Sequence, residues 1–440
     1  MLEKIFKLGD HNTSVRTEIM AGLTTFLAMA YIVFVNPSIL GTTGMDIGAV
    51  TVATCLAAAI GCFLMAFYAN WPVGMAPGMG LNAFFAFTVV AGMGWHWQVA
   101  LGAVFISGCI FIVLTVTGLR RHIVLAIPPS IQMAIPTGIG MFLALIALSN
   151  AGIVVKSDAT KVTLGMLQRP ETILAILGFF LIAALDYLKV RGAILIGILA
   201  VTLVSMALGY THYSGLISYP PSIAPTFLQM DISSAASKGL FNVVIVFVLV
   251  EVFDATGSLT GIARKAGLIG RPVATGDEPA GDFDGINRAP VSDSASIVCG
   301  AMLGTSSTTA YIESMAGIQA GGRTGLTAFT IGVLFLLSLF FTPLIGVVPV
   351  YATAPALVYV ASLMLSELSH VKWDDITEAV PAALTAMVMP FTYSIANGLA
   401  FGFISYVTLK LVTGRYKEVA PAAWVIALLF LARFAFFVPD

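Results

Sequence analysis

Three carboxylates sit inside apolar runs of this chain: Glu251 and Asp254 in VLVEVFDATGSLTG, and Glu313 in TTAYIES. An ionisable group at the centre of a bilayer costs about 3 kcal/mol or more, so it is normally kept for a site or a relay. Glu313 has no Lys or Arg nearby in sequence. Such a carboxylate can accept hydrogen bonds from the N–H groups of a flat heterocycle, and it can also take up a proton. Asp254, beside Gly257, can do either job. Glu251 lies one turn earlier on the same helical face and reads as a helper or a structural partner. Asp186 and Glu378 fall near helix ends, where a carboxylate reaches the membrane surface and needs no chemical role. Asn82 offers an amide donor and acceptor, suited to a heterocycle edge or to a bond between helices. Phe84, Phe85 and Phe87 could stack on a flat ligand, but among 29 phenylalanines lipid or core packing is the better account of any single one.

The segments around these residues are broken in a similar way. WPVGMAPGMGLNAFFAF (71–87) interrupts an apolar run with Pro72, Gly74, Pro77, Gly78 and Gly80, and VCGAMLGTSSTTAYIESMAGIQAGG (298–322) does so with Gly304 and a Ser/Thr run. Backbone freed in this way cannot face lipid and survives where it lines a protein cavity. Paired interruptions at matching places in two halves point to a transporter's midplane site, with helix packing kinks as the plainer account.

Composition sets the elements that must hold these residues. The chain has 440 residues, 58% hydrophobic and 10% charged, with a mean hydropathy of +0.97. Soluble proteins carry about 25% charged residues, so this much apolar surface calls for lipid. With about 20 residues needed per crossing, fourteen spans are expected, seven from 17 to 210 and seven from 239 to 413. The two breaks are the third span of each seven. The apolar stretch 422–438 carries Arg433 and reads either as an extra span or as an interfacial helix. With the N-terminus inside, sixteen of the 21 Lys and Arg residues fall on the cytoplasmic side. Only Lys156, Lys161, Arg169 and Lys238 fall outside, with Arg433 assigned to neither side, as the positive-inside rule requires. Residues 211–238 read as an outer cap, and the Gly-, Pro- and Asp-rich stretch 264–290 as a cytoplasmic linker.

Other chemistries find little support. Asp277, Glu278, Asp282 and Asp284 lack calcium-loop spacing. The four cysteines lie in apolar runs without ligand spacing, and no metal or other cofactor is expected. The five histidines pair with no nucleophile, and no phosphate loop is present, which argues against an ATP-driven pump or an enzyme. A net charge of −1 gives no face for nucleic acid. The N-terminal stretch lacks a signal-peptide pattern.

The stretches TEIMAGLTTFLAMAYIVFVNPSIL, APGMGLNAFF, FDATGSLTGIARKAGL, GTSSTTAYIES and AGGRTGLTAF closely resemble the azaguanine-type purine permeases of the nucleobase–ascorbate (nucleobase–cation symporter-2) superfamily. The resemblance runs from about residue 2 to residue 418. It implies an all-α membrane protein with fourteen spans in two inverted repeats of seven. Spans 1–4 and 8–11 (residues 1–122 and 239–349) would form a core domain. Spans 5–7 and 12–14 (123–212 and 350–414) would form a gate domain, followed by a C-terminal segment (415–440). Short strands are implied near 73–77 and 304–308. By motif position, Asn82, Asp254 and Glu313, with Thr25, Ala83, Phe84 and Thr308, would bind substrate. Glu313, Asp254 and Glu251 would handle protons. The implied protein is a proton symporter in the inner membrane, working by movement of core against gate, with a homodimer expected. GMGLNAFF and SSTTAYIES tilt the substrate towards adenine over hypoxanthine and guanine.

Three alternatives stay open on the residues: a sodium-coupled nucleobase carrier, a sulfate- or bicarbonate-type anion carrier of related fold, and a channel or scaffold. Two carboxylates at a site would repel an anion, and paired breaks suit a moving carrier better than a static pore.

Overall fold

The computed structural model describes residues 2–120, 123, 127–213, 215, 217–239, 243–265 and 288–436. The expected linker carboxylates Asp277, Glu278, Asp282 and Asp284 lie outside these residues, as does His122.

After a short N-terminal helix α1 (Leu2–Phe6), the first apolar run forms two helices, α2 (Val15–Met29) and α3 (Ile32–Leu40), where one is expected. Ser14 starts α2 by accepting the Thr17 N–H at 3.2 Å, supplying one of the partners that a helix start lacks. Helix α4 (Ile47–Leu64) is capped by Asp46, whose carboxylate accepts the Ala49 N–H at 2.7 Å. Its buried face is built of Ala, Gly, Thr and Cys, small enough for close approach by neighbouring helices.

At the first break the chain forms strand β1 (Met75–Pro77), then helix α5 (Met79–Ala83), which widens into π turns over Phe84–Gly92. Helices α6 (Trp97–Val116) and α7 (Pro129–Asn150) follow. A hairpin not expected from the sequence, β2 (Val154–Ser157) with β3 (Lys161–Leu164), joins α7 to α8 (Pro170–Tyr187) and α9 (Ala193–Ala207). Val155, Val162 and Leu164 alternate with polar residues there, a strand signal too short to stand out beside the spans.

The expected outer cap contains helix α10 (Ile232–Gly239). Then come α11 (Ile245–Lys265) and α12 (Arg288–Leu303). The second break forms β4 (Thr308–Ala310) and α13 (Ser314–Gln319). The strand lies a few residues later than implied, because Gly304, at φ +92°, turns the chain before it. The rest is helical: α14 (Gly325–Ser338), α15 (Thr342–Val347), α16 (Val350–Met364), α17 (Ile376–Phe391), α18 (Ile395–Val412) and α19 (Pro421–Phe436). The apolar stretch near the C-terminus is helical, as both of its readings, extra span and interfacial helix, require.

Among the described residues, eight helical stretches are long and apolar enough to cross a membrane, and shorter apolar helices at 79–92, 193–207, 376–391 and 421–435 accompany them. Packing falls into two groups. Helices α2, α3, α4, α6 and α11–α14 pack on one another and enclose the strands. Helices α7–α9 and α16–α18 form a second bundle. The seam between the bundles is sparse, made where α5 and α11 meet α7, where α2 meets α9 and where α3 meets α16.

Candidate functional site

The two breaks meet. β1 and β4 pair antiparallel, with Met75 opposite Ala310, Ala76 opposite Thr309 and Pro77 opposite Thr308. The ladder continues past the strands, Gly78 N–H donating to the Ser307 carbonyl at 2.9 Å and Tyr311 N–H to the Gly74 carbonyl at 3.0 Å. Each break thus satisfies backbone groups that the other exposes, which is how irregular chain persists at membrane depth. Side chains lock the crossing: Tyr311 Oη donates to the Pro77 carbonyl at 2.6 Å, and Gly74 N–H donates to Ser314 Oγ at 2.9 Å.

Asp254 and Glu313 come together at this crossing. Asp254, half-buried on α11, lies beside Thr309 and Gly78. A Cβ at Gly78 would come within 2.9 Å of Thr309 Cγ2, so a side chain there would crowd the facing strand. Glu313, also half-buried, occupies the residue before α13, and its Oε1 accepts a hydrogen bond from Tyr31 Oη at 2.7 Å. The two carboxylates are near enough to repel each other. Among the described residues neither is ion-paired with Lys or Arg. A ligand offering N–H groups, or a proton, is the partner chemistry this arrangement lacks.

The other expected residues make different contacts around the crossing. Glu251 accepts a hydrogen bond from Ser107 Oγ at its Oε1 at 3.0 Å, with Ser307, Asp293 and Asp254 close by. Asn82 is fully buried and its amide is already engaged. Its Nδ2 donates to Asn36 Oδ1 at 2.5 Å, and its Oδ1 accepts from Ser306 Oγ. Asn36 in turn donates to Thr54 at 2.7 Å and to Thr305 at 2.9 Å. The amide expected to read a ligand edge instead ties α3, α4 and α5 to the run before β4. Thr25, Ala83, Phe84 and Thr308 are likewise fully buried. Phe84 packs edge-on against Phe247 with centroids 4.9 Å apart, and Thr308 Oγ1 donates to Ser296 Oγ at 2.9 Å.

Several polar residues of this region escape a reading of the sequence. Tyr31 is hidden in an apolar run, with nothing in its neighbours to mark it. Asp293 is fully buried on α12 and accepts the Ala310 N–H of β4 at 3.2 Å, facing the Arg120 guanidinium. The polar run SDSAS within an otherwise apolar helix was its available signal. Glu18 is fully buried too, accepting from Arg323 N–H at 2.9 Å, Thr324 N–H at 3.2 Å and Thr327 Oγ1 at 2.6 Å, and so fastens α2 to the start of α14. Glu378, read as an end-lying carboxylate in reach of the surface, is instead ion-paired to buried Lys410 at 2.9 Å.

Comparisons with known proteins agree with this architecture. The Xan_ur_permease model, described as "Permease family", matches residues 16–401. The chain is 48% identical to the adenine permease AdeP of Escherichia coli (strain K12) over 436 residues, covering 99% of this chain and 96% of that one. It is 42% identical to the guanine/hypoxanthine permease PbuO of Bacillus subtilis (strain 168) over 437 residues, covering 98% and 99%. Among solved structures, the transmembrane domain of the cyanobacterial bicarbonate transporter BicA superposes with a TM-score of 0.62 at 15% identity, covering 89% of this chain and 97% of that one, a likeness of fold.

Proposed function

This chain belongs to the Xan_ur_permease family of the nucleobase–ascorbate transporter superfamily, and from that premise we propose that it imports purine nucleobases together with protons, adenine ahead of hypoxanthine and guanine. The observation that carries the reading is the strand crossing with Asp254 and Glu313 at its edge, two half-buried carboxylates without a cation among the described residues. A neutral purine supplies ring and exocyclic N–H donors to them, and a proton relieves the repulsion between them. The same charges count against an anion as cargo. Adenine permease relatives support the order of substrates, although guanine/hypoxanthine permeases are also close in identity.

In this reading the chain crosses the inner membrane fourteen times with its N-terminus in the cytoplasm, as two inverted repeats of seven. Residues 1–122 and 239–349 form a core that slides against a gate of residues 123–212 and 350–414, within a homodimer. The two packing groups and their sparse seam support that division, and the distribution of Lys and Arg supports the orientation.

The test is uptake of radiolabelled adenine, hypoxanthine, guanine and uracil into cells lacking their own carriers, with and without a protonophore and in sodium-free buffer. Accumulation of purines but not uracil, abolished by the protonophore and indifferent to sodium, is expected. Sodium dependence would replace the coupling ion, and the absence of any purine accumulation in cells expressing folded protein would overturn the substrate class.

A further inference from the structure

The C-terminal helix α19 carries one cation into an otherwise apolar sequence, PAAWVIALLFLARFAF. Arg433 is half-buried. Its Nη1 lies 3.3 Å from Asn397 Oδ1, a neutral partner, and its guanidinium is 5.6 Å from the Phe434 ring centroid. Among the described residues no carboxylate pairs with it. A guanidinium near lipid without a counter-ion is costly, and arginine normally resolves this by reaching the headgroup layer, where phosphate oxygens match its donors in pairs.

The same arginine ends an apolar groove. Ile245 and Leu249 of α11 line one side, and Ile426, Leu429, Phe430, Ala432 and Arg433 of α19 line the other, around a cavity of about 150 Å³. The groove therefore has a hydrocarbon body and a single cationic end. Helix α19 packs on α18 of the second bundle, whereas α11 belongs to the first and carries Glu251 and Asp254 within about one and a half turns of the groove residue Leu249. Whatever fills the groove touches both sides of the seam.

We propose that this groove is a binding site for an anionic glycerophospholipid, with one acyl chain between α11 and α19 and the phosphate on Arg433. Charge complementarity selects that occupant. A second protein helix would need an acidic residue at bilayer depth, and a free phosphate would leave the apolar walls unfilled. The site is independent of the purine site, so either can fail without the other.

The test uses the full-length protein, delipidated in detergent and titrated with phosphatidylglycerol, phosphatidylethanolamine or soluble glycerol phosphate, with retained adducts read by native mass spectrometry. Wild type should retain phosphatidylglycerol in preference to the other two. Arg433→Gln should bind it roughly tenfold more weakly, the usual worth of a lost charge-assisted bond. Arg433→Lys should retain most binding. Leu429→Trp, which fills the groove with Arg433 intact, should also lose the adduct, and it keeps the proposal falsifiable if Arg433→Gln folds poorly. Equal retention by wild type and Arg433→Gln would overturn the site, as would equal binding of the two lipids or binding of glycerol phosphate alone.

Discussion

Two groups of carboxylates in this protein are treated in opposite ways. At the strand crossing, Asp254 and Glu313 share a half-buried space with no cation among the described residues, and Glu313 is held by a phenol. At the ends of α17 and α18, Asp375, Glu378 and Glu418 each have a cation. Lys410 Nζ, almost completely buried, lies 2.9 Å from Glu378 and 2.8 Å from Glu418, and Arg415 bonds Glu418 at 2.8 Å and Asp375 at 2.7 Å. Ser130 of α7 donates to Glu378 at 2.5 Å, so the network joins three helices of the second bundle. Charges satisfied by one another hold helices together. Charges left without a cation partner can meet something that arrives and leaves.

The strongest way to break this comparison is to neutralise one acid in each region. Glu313→Gln is expected to abolish active purine uptake while the protein still elutes as a folded species on size-exclusion chromatography. Glu378→Gln should leave transport per folded molecule near wild type, and equal losses of uptake from both would erase the distinction. Next in size is Lys410→Met, which strips Glu378 of its only cation among the described residues. Removing one partner of a buried pair costs about 3 kcal/mol, so the midpoint of thermal unfolding in detergent should fall, and fall further than in Glu378→Gln, where Glu418 still faces the lysine. An unchanged midpoint would show that the network holds nothing.

Smaller is the effect of Tyr31→Phe, which removes one hydrogen bond to Glu313 and leaves the ring in place. A bond to a charged group is worth about 1.5–3 kcal/mol. The apparent KM for uptake should therefore rise about tenfold or more with the maximal rate little changed, whereas a drop in the rate alone would assign Tyr31 to a different step.

The smallest effect is that of acid on the paired network. Hydrogen bonds from Arg415, and then from Lys410, hold the Glu418 carboxyl down at about 2. Asp375 is held below the usual range by Thr377 first and Arg415 second. Groups whose folded values are depressed stabilise the fold above their unfolded values, and that contribution is lost as pH falls from there towards the folded value. Unfolding midpoints should hence drop as pH falls from about 4.5 towards 2, and less steeply in Glu418→Gln. Both groups are solvent-exposed, so salt should shrink the difference.

Much of this was legible in the residues. Mid-run carboxylates stood out because water-loving groups are rare in apolar stretches, and Pro/Gly clusters marked the breaks because they cannot continue a helix. Asp254 and Glu313 were found that way, and they do lie together. Asn82 stood out for the same reason, but polarity alone cannot tell an amide facing a ligand from one spent on Asn36 and Ser306. Tyr31 gave no signal, since tyrosine is ordinary in an apolar run and its partner is 282 residues away in sequence. Glu378 looked surface-bound because its lysine lies a helix away on α18.

Composition and motif order by themselves determined that the chain lives in lipid, where most of its helices run, which two segments break, and that Glu251, Asp254 and Glu313 lie in apolar runs. These properties are local, set by each residue's cost in water or hydrocarbon. Tertiary structure decided which polar groups are satisfied: the two breaks become one antiparallel ladder, Asn82 is consumed by packing, Glu378 acquires its lysine, and Asp254 with Glu313 remain without a cation. That outcome depends on partners brought together over hundreds of residues, and whether a buried charge is paired or left open is a property of the neighbourhood, not of the residue that carries it.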